Sequence, residues 1–269
     1  MLPIDLVLVR HGQSEGNAAK RLSEAGDHSA FTDAFRGRHT ASYRLTEKGR
    51  EQAAKTGAFV LSEFLKNGVG FDRYIVSEYI RAMETAALLD LPNALWFTDS
   101  YLTERDWGDL DGCPENEREE KFGAALRRQE TEPFFWRPPN GESFLQLSQR
   151  VDRVLDTLHR ECSEKRVLIV CHGEVMRAFR VRLERMSQER FKEAVFSNKS
   201  EDRIHNLEIL HYSRKNPESG MDAEYMGWLR RIRPTDDPIW DSGWQKIIRP
   251  RYSNEALLEV VSRVPPMVA

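Results

Sequence analysis

Leu6-Val7-Leu8-Val9-Arg10-His11-Gly12, near the start of the chain, and Val167-Leu168-Ile169-Val170-Cys171-His172-Gly173, far along it, share one design. Each is a short unbroken apolar run that stops at a histidine followed by glycine. Runs of this length without polar alternation read as strands covered on both faces, the situation of a mostly parallel sheet. Tyr74-Ile75-Val76 is a third such strand. In an open parallel sheet, ligands collect beyond the carboxyl ends of the strands, so both histidines are expected on one rim. A glycine after each lets an anion approach the main chain closely.

Helical periodicity fills the intervals. After Thr46 the positions Ala53, Gly57, Val60, Leu61 and Phe64 recur at helical spacing. Ser143 and Gln146 are spaced as a capping box ahead of Leu147, Val151, Val154, Leu155 and Leu158, which share one face. Strands alternating with helices predict a three-layer α/β/α sandwich around a mostly parallel central sheet, carried by one domain over residues 1–269. Three stretches break the rhythm. Residues 18–44 read as a long polar loop, and residues 115–140 as a charged helical insertion able to form a cap, ending in Phe134-Phe135-Trp136-Arg137-Pro138-Pro139. Residues 213–269 read as a loop-rich extension with Trp228, Trp240 and Trp244, closing in a helix from Ser253 to Arg263.

Forty basic against 43 acidic residues leave a formal charge of -3, which favours neither nucleic acid nor an anionic membrane as partner. Cys113, Cys162 and Cys171 are an odd number without metal-ligand spacing and suit a reducing compartment. With no long apolar run and no basic leader, the chain reads as a cytoplasmic, soluble protein.

The chemistry gathers at the expected rim. Arg10 and His11 follow the first strand and continue into Gln13-Ser14-Glu15-Gly16-Asn17. Arg81 falls in the first turn of a helix behind the Tyr74 strand, where a guanidinium can grip phosphate through two parallel hydrogen bonds. Leu102-Thr103-Glu104-Arg105-Asp106-Trp107-Gly108 supplies Glu104 as a proton donor. A phosphate monoester is a dianion with a poor leaving group, so its site needs fixed positive charge, a nucleophile and a proton for the departing oxygen. These residues supply all of that without a metal or other cofactor.

In order along residues 4–212, Arg10-His11-Gly12 with Ser14 and Asn17, Leu45-Thr46 with Gly49, Arg81 within Ser77 to Ala86, Glu104, Gly141-Glu142-Ser143 and His172-Gly173 resemble the histidine phosphatase superfamily, which contains phosphoglycerate mutases and phosphomonoesterases. The resemblance implies that His11 is phosphorylated, that Arg10, Arg81 and His172 hold the phosphate, and that Glu104 acts as acid and base. Gly12, Ser14, Asn17 and Gly173 are expected around the substrate, with backbone N–H groups from Gly12 to Asn17 forming an anion nest at a helix start.

Duller readings stand beside these. Alone, His172-Gly173 is a turn; Arg81 has Glu78 or Glu84 for a surface ion pair; Glu78, Asp106 and Glu174 rival Glu104 as the acid; Ser14 and Asn17 serve as helix caps. Cys171 to Arg177 has the Cys-x5-Arg spacing of cysteine-dependent phosphatases, but Glu174 and two bulky apolar residues line that loop poorly for a dianion, so Cys171 reads as a buried strand cysteine.

Within the resemblance, either water or a second hydroxyl takes the phosphoryl group. Six glutamates against four basic residues over 115–132 suit a bisphosphate badly and favour a phosphomonoester hydrolase acting on a small phosphorylated organic molecule. Glu104-Arg105 with Trp107-Gly108 is reminiscent of the mutases, and Lys20, Arg21, Arg36, Arg38 and Arg44 offer extra charge, so a phosphoglycerate mutase-type phosphotransferase is the alternative. A non-catalytic phosphate-binding scaffold is the third. The aromatic run from Phe134 either walls the pocket or packs the cap on the sheet.

Overall fold

The computed structural model describes residues 1–66 and 69–267; Val268 and Ala269, the end of the expected extension, lie outside the described residues. The first half runs β1 (Asp5–Arg10), α1 (Glu15–Glu24), α2 (Asp33–Arg36), α3 (Glu47–Phe64), β2 (Arg73–Ser77), α4 (Ile80–Leu88), β3 (Trp96–Asp99) and α5 (Glu115–Thr131). The second runs α6 (Phe144–Glu161), β4 (Arg166–Cys171), α7 (Gly173–Glu184), α8 (Gln188–Phe196), β5 (Ile209–Ser213), β6 (Trp228–Arg233), β7 (Trp240–Lys246) and α9 (Asn254–Ser262).

Among the described residues these strands form one seven-stranded sheet in the order β3-β2-β4-β1-β5-β6-β7. The first four lie parallel, and only β5 and β7 run the other way. The apolar runs behave as their composition dictates. Leu6 and Leu8 of β1, with Val167, Ile169 and Cys171 of β4, meet Phe144, Leu147 and Val151 of α6 and Val175 and Phe179 of α7 on one face. Val7, Val9, Leu168 and Val170 meet Val60 and Phe64 of α3 and Ala82 and Ala86 of α4 on the other. Period-two alternation thus feeds two cores from the same strands, which gives the expected three-layer α/β/α sandwich.

Both predicted helix starts are built as their spacing implies. Thr46 Oγ1 accepts from Gly49 N–H at 3.1 Å, and Ser143 with Gln146 forms a full capping box. Gly57 lets α3 lie directly on the end of α4, since a Cβ there would stand 2.2 Å from the Leu89 carbonyl oxygen.

Two expectations are corrected. Residues 18–44 are not a plain loop: α1 is capped by Ser14 and extends to Glu24, and α2 and a short 3-10 turn over Thr40–Ser42 follow. α1 buries only Ala19 and Ser23, so it carries little apolar signal. The stretch beyond Ser213 is not loop-rich either, because β6 and β7 continue the sheet. Their polar look comes from arginines that find partners: Arg231, buried, donates to Glu208, itself fully buried, at 2.8 Å through Nε, and Arg233 lies 4.1 Å over the Trp240 ring. Among the described residues no helix is long and apolar enough to cross a membrane.

Candidate active site

Parallel pairing of β1 with β4 puts Arg10 opposite Cys171, so His11 and His172 leave the sheet side by side. Their ring centroids are 5.1 Å apart and both rings are buried. The His11 tautomer follows from its partners. Nδ1 lies 2.7 Å from the Gly12 carbonyl, which can only accept, so Nδ1 carries the hydrogen. Nε2 lies 3.2 Å from Arg81 Nε, which can only donate, so Nε2 presents a lone pair. Burial, then the charges of Arg81 and Arg10, hold the His11 pKa well below the ordinary imidazole value, and the ring is neutral. Arg81, also buried, donates through Nη1 to the Thr40 carbonyl at 2.7 Å, and its guanidinium lies 4.9 Å over the Tyr79 ring.

His172 Nε2 is 2.7 Å from Ser77 Oγ, while Ser77 Oγ already accepts from Tyr79 N–H at 3.3 Å. The buried Ser77 hydroxyl needs an acceptor for its own hydrogen, and His172 Nε2 provides it, which leaves the ring hydrogen on Nδ1. Burial, followed by Arg81, pushes the His172 pKa well below the usual imidazole value. His172 Nδ1 and Arg10 Nε are both buried without a partner. Arg10 is held from behind, its Nη1 donating to the Ile204 carbonyl at 2.5 Å. Gly173 makes room for it, since a Cβ there would stand 3.3 Å from Arg10 Nε. Two buried donors kept unsatisfied beside a neutral imidazole are costly in an apolar site and describe a receptacle for an anion.

Glu104 opens onto the same cavity of about 540 Å³ as Arg10, His11 and Arg81. Its Oε1 accepts from Arg105 N–H at 2.9 Å. Burial, and then the neighbouring Glu174 carboxylate, raise its pKa above the usual carboxylate value against the pull of Arg81 and Arg10. Its rivals are otherwise engaged. Glu78 is exposed and lies outside the cavity, Asp106 accepts from Gly108 N–H, and Glu174 faces Arg177 at 3.2 Å and Arg105 at 3.8 Å. Glu84 does not pair with Arg81, because Arg44 and Arg50 hold it.

A family model described as "Histidine phosphatase superfamily (branch 1)" matches residues 6–209. The chain belongs to the histidine phosphatase superfamily. It is 32% identical over 200 residues to a 2,3-bisphosphoglycerate-dependent phosphoglycerate mutase of Parvibaculum lavamentivorans, covering 70% of this chain and 83% of that one. Among solved structures, a putative alpha-ribazole-5'-P phosphatase from Escherichia coli superposes with a TM-score of 0.60 at 22% identity, covering 84% of this chain and 98% of that one. A mycobacterial glucosyl-3-phosphoglycerate phosphatase complexed with VO3 superposes with a TM-score of 0.59 at 20% identity, covering 78% and 90%. At those identities the structures support the fold alone.

The expected anion nest is not formed by the turn after His11. Gly12 N–H donates to Thr85 Oγ1 at 3.0 Å, Gln13 N–H to Gln52 Oε1 at 3.1 Å, and Ser14 N–H to Asn17 Oδ1 at 3.3 Å. Those donors are spent on packing the turn. Gly12 is outside the cavity lining, and its hydrogen atom at Cα is needed against the Gly49 carbonyl, 2.5 Å from where a Cβ would stand. Ser14 and Asn17 form a capping box for α1 and also line the cavity, as does Gly173. Asn206, absent from the sequence reading, donates to both the His11 carbonyl at 2.9 Å and Asn17 Oδ1 at 3.1 Å. Ser77, Thr85 and Tyr79 were also not singled out, being ordinary residues whose role appears only in the folded neighbourhood.

The aromatic run after α5 packs rather than walls the pocket: Phe134 sits 5.4 Å from Phe191 and 5.6 Å from Phe144, in the core. Phe31, Phe35 and Tyr43 of the segment read as a loop, with Trp107, line the cavity instead, and Phe35 stacks on Tyr43 at 4.7 Å. α5 reaches the cavity through Glu115, Arg118, Leu126 and Gln129. Cys171 is buried in the core, where burial raises its thiol pKa far above the normal value, so it is no thiolate nucleophile. Among the described residues no three His, Cys, Asp or Glu side chains are grouped to hold a metal ion.

Proposed function

We propose that the chain is a phosphomonoester hydrolase that works through a phosphohistidine at His11, within one domain spanning residues 1–269 that uses 115–140 as its cap. The observation that carries this reading is the fixed neutral tautomer of His11, with Nε2 free of hydrogen beside two unpartnered buried donors. Nε2 attacks phosphorus as the P–O bond to the leaving group breaks, and protonated Glu104 gives its hydrogen to the departing oxygen. Arg81 transfers its hydrogen bond from His11 to a phosphoryl oxygen, joined by Arg10 Nε and His172 Nδ1–H. The resulting Glu104 carboxylate then takes a proton from water, whose oxygen attacks phosphorus, and the N–P electron pair returns to His11. Charge is supplied throughout by guanidinium groups, so no step calls on a metal.

A 540 Å³ cavity with Phe31, Phe35, Tyr43 and Trp107 in its lining favours a phosphate ester with an apolar organic body over a three-carbon acid. The mutase reading draws its support from the curated relatives, which carry the phosphoglycerate mutase name. Two assays separate the readings. With p-nitrophenyl phosphate the hydrolase turns over in the presence of a chelator and His11→Ala is inactive; a silent parent protein supports the scaffold. With 3-phosphoglycerate plus catalytic 2,3-bisphosphoglycerate, the hydrolase gives inorganic phosphate at most, and formation of 2-phosphoglycerate would establish the mutase.

A further inference from the structure

Glu104 and Thr40 line not one cavity but two. Beside the first lies a second space of about 410 Å³ that His11 does not line, bounded also by His39, Tyr79, Thr103, Asp106, Glu142 and Arg150. Glu104, with the Thr40 backbone that accepts from Arg81, therefore stands in the partition between them. The two spaces differ in charge. In the main cavity Arg118 and Arg177 pair with Glu115 and Glu174, at 3.4 and 3.2 Å, while Arg10 and Arg81 beside His11 have no carboxylate partner among the described residues. In the second, Arg150 is neutralised by a two-pronged pair with Glu142, at 2.7 and 2.8 Å, leaving the carboxylate of Asp106, joined by that of Glu104 once Glu104 has given up its proton. Such a space repels phosphate esters and free phosphate but admits neutral water.

We propose that this second cavity is the water inlet of the dephosphorylation step, so that water reaches Glu104 without passing through the chamber that holds the organic product. The proposal rests on the phosphohistidine reading above. After the first step Glu104 is a carboxylate. A water entering beside Thr103 gives its proton to that carboxylate and its oxygen to phosphorus, and the P–N bond to His11 Nε2 breaks with its electron pair returning to nitrogen. Water is the sole co-reactant. Once the organic product has moved off Glu104, water reaches the vacated position opposite His11 Nε2 by this path while the product is still leaving through the main cavity.

Thr103 is suited to a test, because among the described residues its hydroxyl bonds only the Ser100 carbonyl, at 2.9 Å, and it lines the second space but not the main cavity. Thr103→Phe narrows the inlet strongly and Thr103→Leu mildly. With 1-naphthyl phosphate as donor, rapid quenching follows formation and decay of the phosphoenzyme separately. The expected result is an unchanged rate of phosphorylation and a decay slowed about tenfold for Thr103→Phe and less for Thr103→Leu, with phosphoenzyme accumulating in the steady state. Unchanged decay, or equal slowing of both steps, overturns the inlet, and Thr103→Leu decides alone if the phenylalanine variant does not fold. Failure of the parent protein to form any phosphoenzyme overturns the underlying mechanism, and the inlet with it, before the variants are compared.

Discussion

His11 must be neutral to attack while Glu104 must be protonated to release the leaving group, a combination that water-exposed groups offer at no pH in useful amounts. The site separates the two values. Burial and two guanidinium groups push His11 down, so the ring stays neutral into acid; burial and Glu174 push Glu104 up, so its proton survives above the usual carboxylate range. Activity is therefore expected to be bell-shaped with its maximum on the mildly acidic side, the acid limb reporting the lowered imidazole and the alkaline limb the raised carboxyl. Loss of activity as pH rises follows Glu104 deprotonation, and a profile flat into alkali would discredit that residue. Glu104→Gln should slow phosphoenzyme formation, followed by rapid quenching, by about 10²–10⁴ with an alkyl phosphate and much less with p-nitrophenyl phosphate, because p-nitrophenolate leaves without a proton, while decay of the common phosphoenzyme slows alike for both. Equal slowing of formation on both substrates would remove Glu104 from the acid role. At this scale Arg10, His11 and His172 stand out in the sequence as charged or titratable residues at strand ends, whereas Arg81 and Glu104 join them only through the ordered resemblance; the fold brings Arg10, His11, Arg81 and Glu104 to one cavity. Asn206 and Ser77 do not stand out, since Asn206 reaches the His11 carbonyl and Asn17, and Ser77 reaches His172, only through hydrogen bonds made across the fold.

Elements differ in how plainly they announce themselves. β1 and β4 were readable because central strands buried on both faces must be apolar throughout, and α3 and α6 because each buries one stripe. β3 was not: it is short, lies at the sheet edge and exposes Phe97. α1 is legible only at its cap, where Ser14 and Asn17 read as capping residues, because it has almost no buried side to signal a period. The α3–α4 contact yields a prediction separate from the chemistry. Gly57→Ala places a methyl group against the Leu89 carbonyl and should cost about 1–3 kcal/mol, read as a lowered midpoint in denaturant melts with KM unchanged. An unchanged midpoint would mean that the two helices part without cost.

Across the whole molecule, the second half of the chain closes the sheet that the first half begins. β5 pairs with β1, and β6 ties back beneath the site: Arg231 meets Glu208, whose own carbonyl accepts from Arg10 N–H at 3.1 Å. Arg231 finds its neutralising partner on the residue just before the neighbouring strand β5, so nothing in the local sequence of β6 marks it as buried, and the tail reads as loop-rich. Glu208→Ala leaves that guanidinium buried and unpaired and should destabilise the protein by about 3–5 kcal/mol in equilibrium unfolding. A loss below the usual surface range would place the pair in contact with solvent. The two covers of the cavity are also joined, Arg36 of α2 donating to Glu117 of α5 at 3.1 Å, and Ser23 of α1 accepting from Glu115 N–H at 2.8 Å. The cavity is thus assembled from five stretches distant in sequence, at residues 10–43, Arg81, 104–129, 173–177 and 203–204, and its shape was not readable from any one of them.

The central claim is that the Nε2 lone pair of His11 accepts the phosphoryl group. Rapid quenching with a radiolabelled phosphate ester, followed by peptide mapping, measures this directly. The account predicts one phosphate per chain on the peptide containing His11, labile in acid and stable in base, and no label in His11→Ala. Label on another residue, or turnover of His11→Ala at the parent rate, would contradict it.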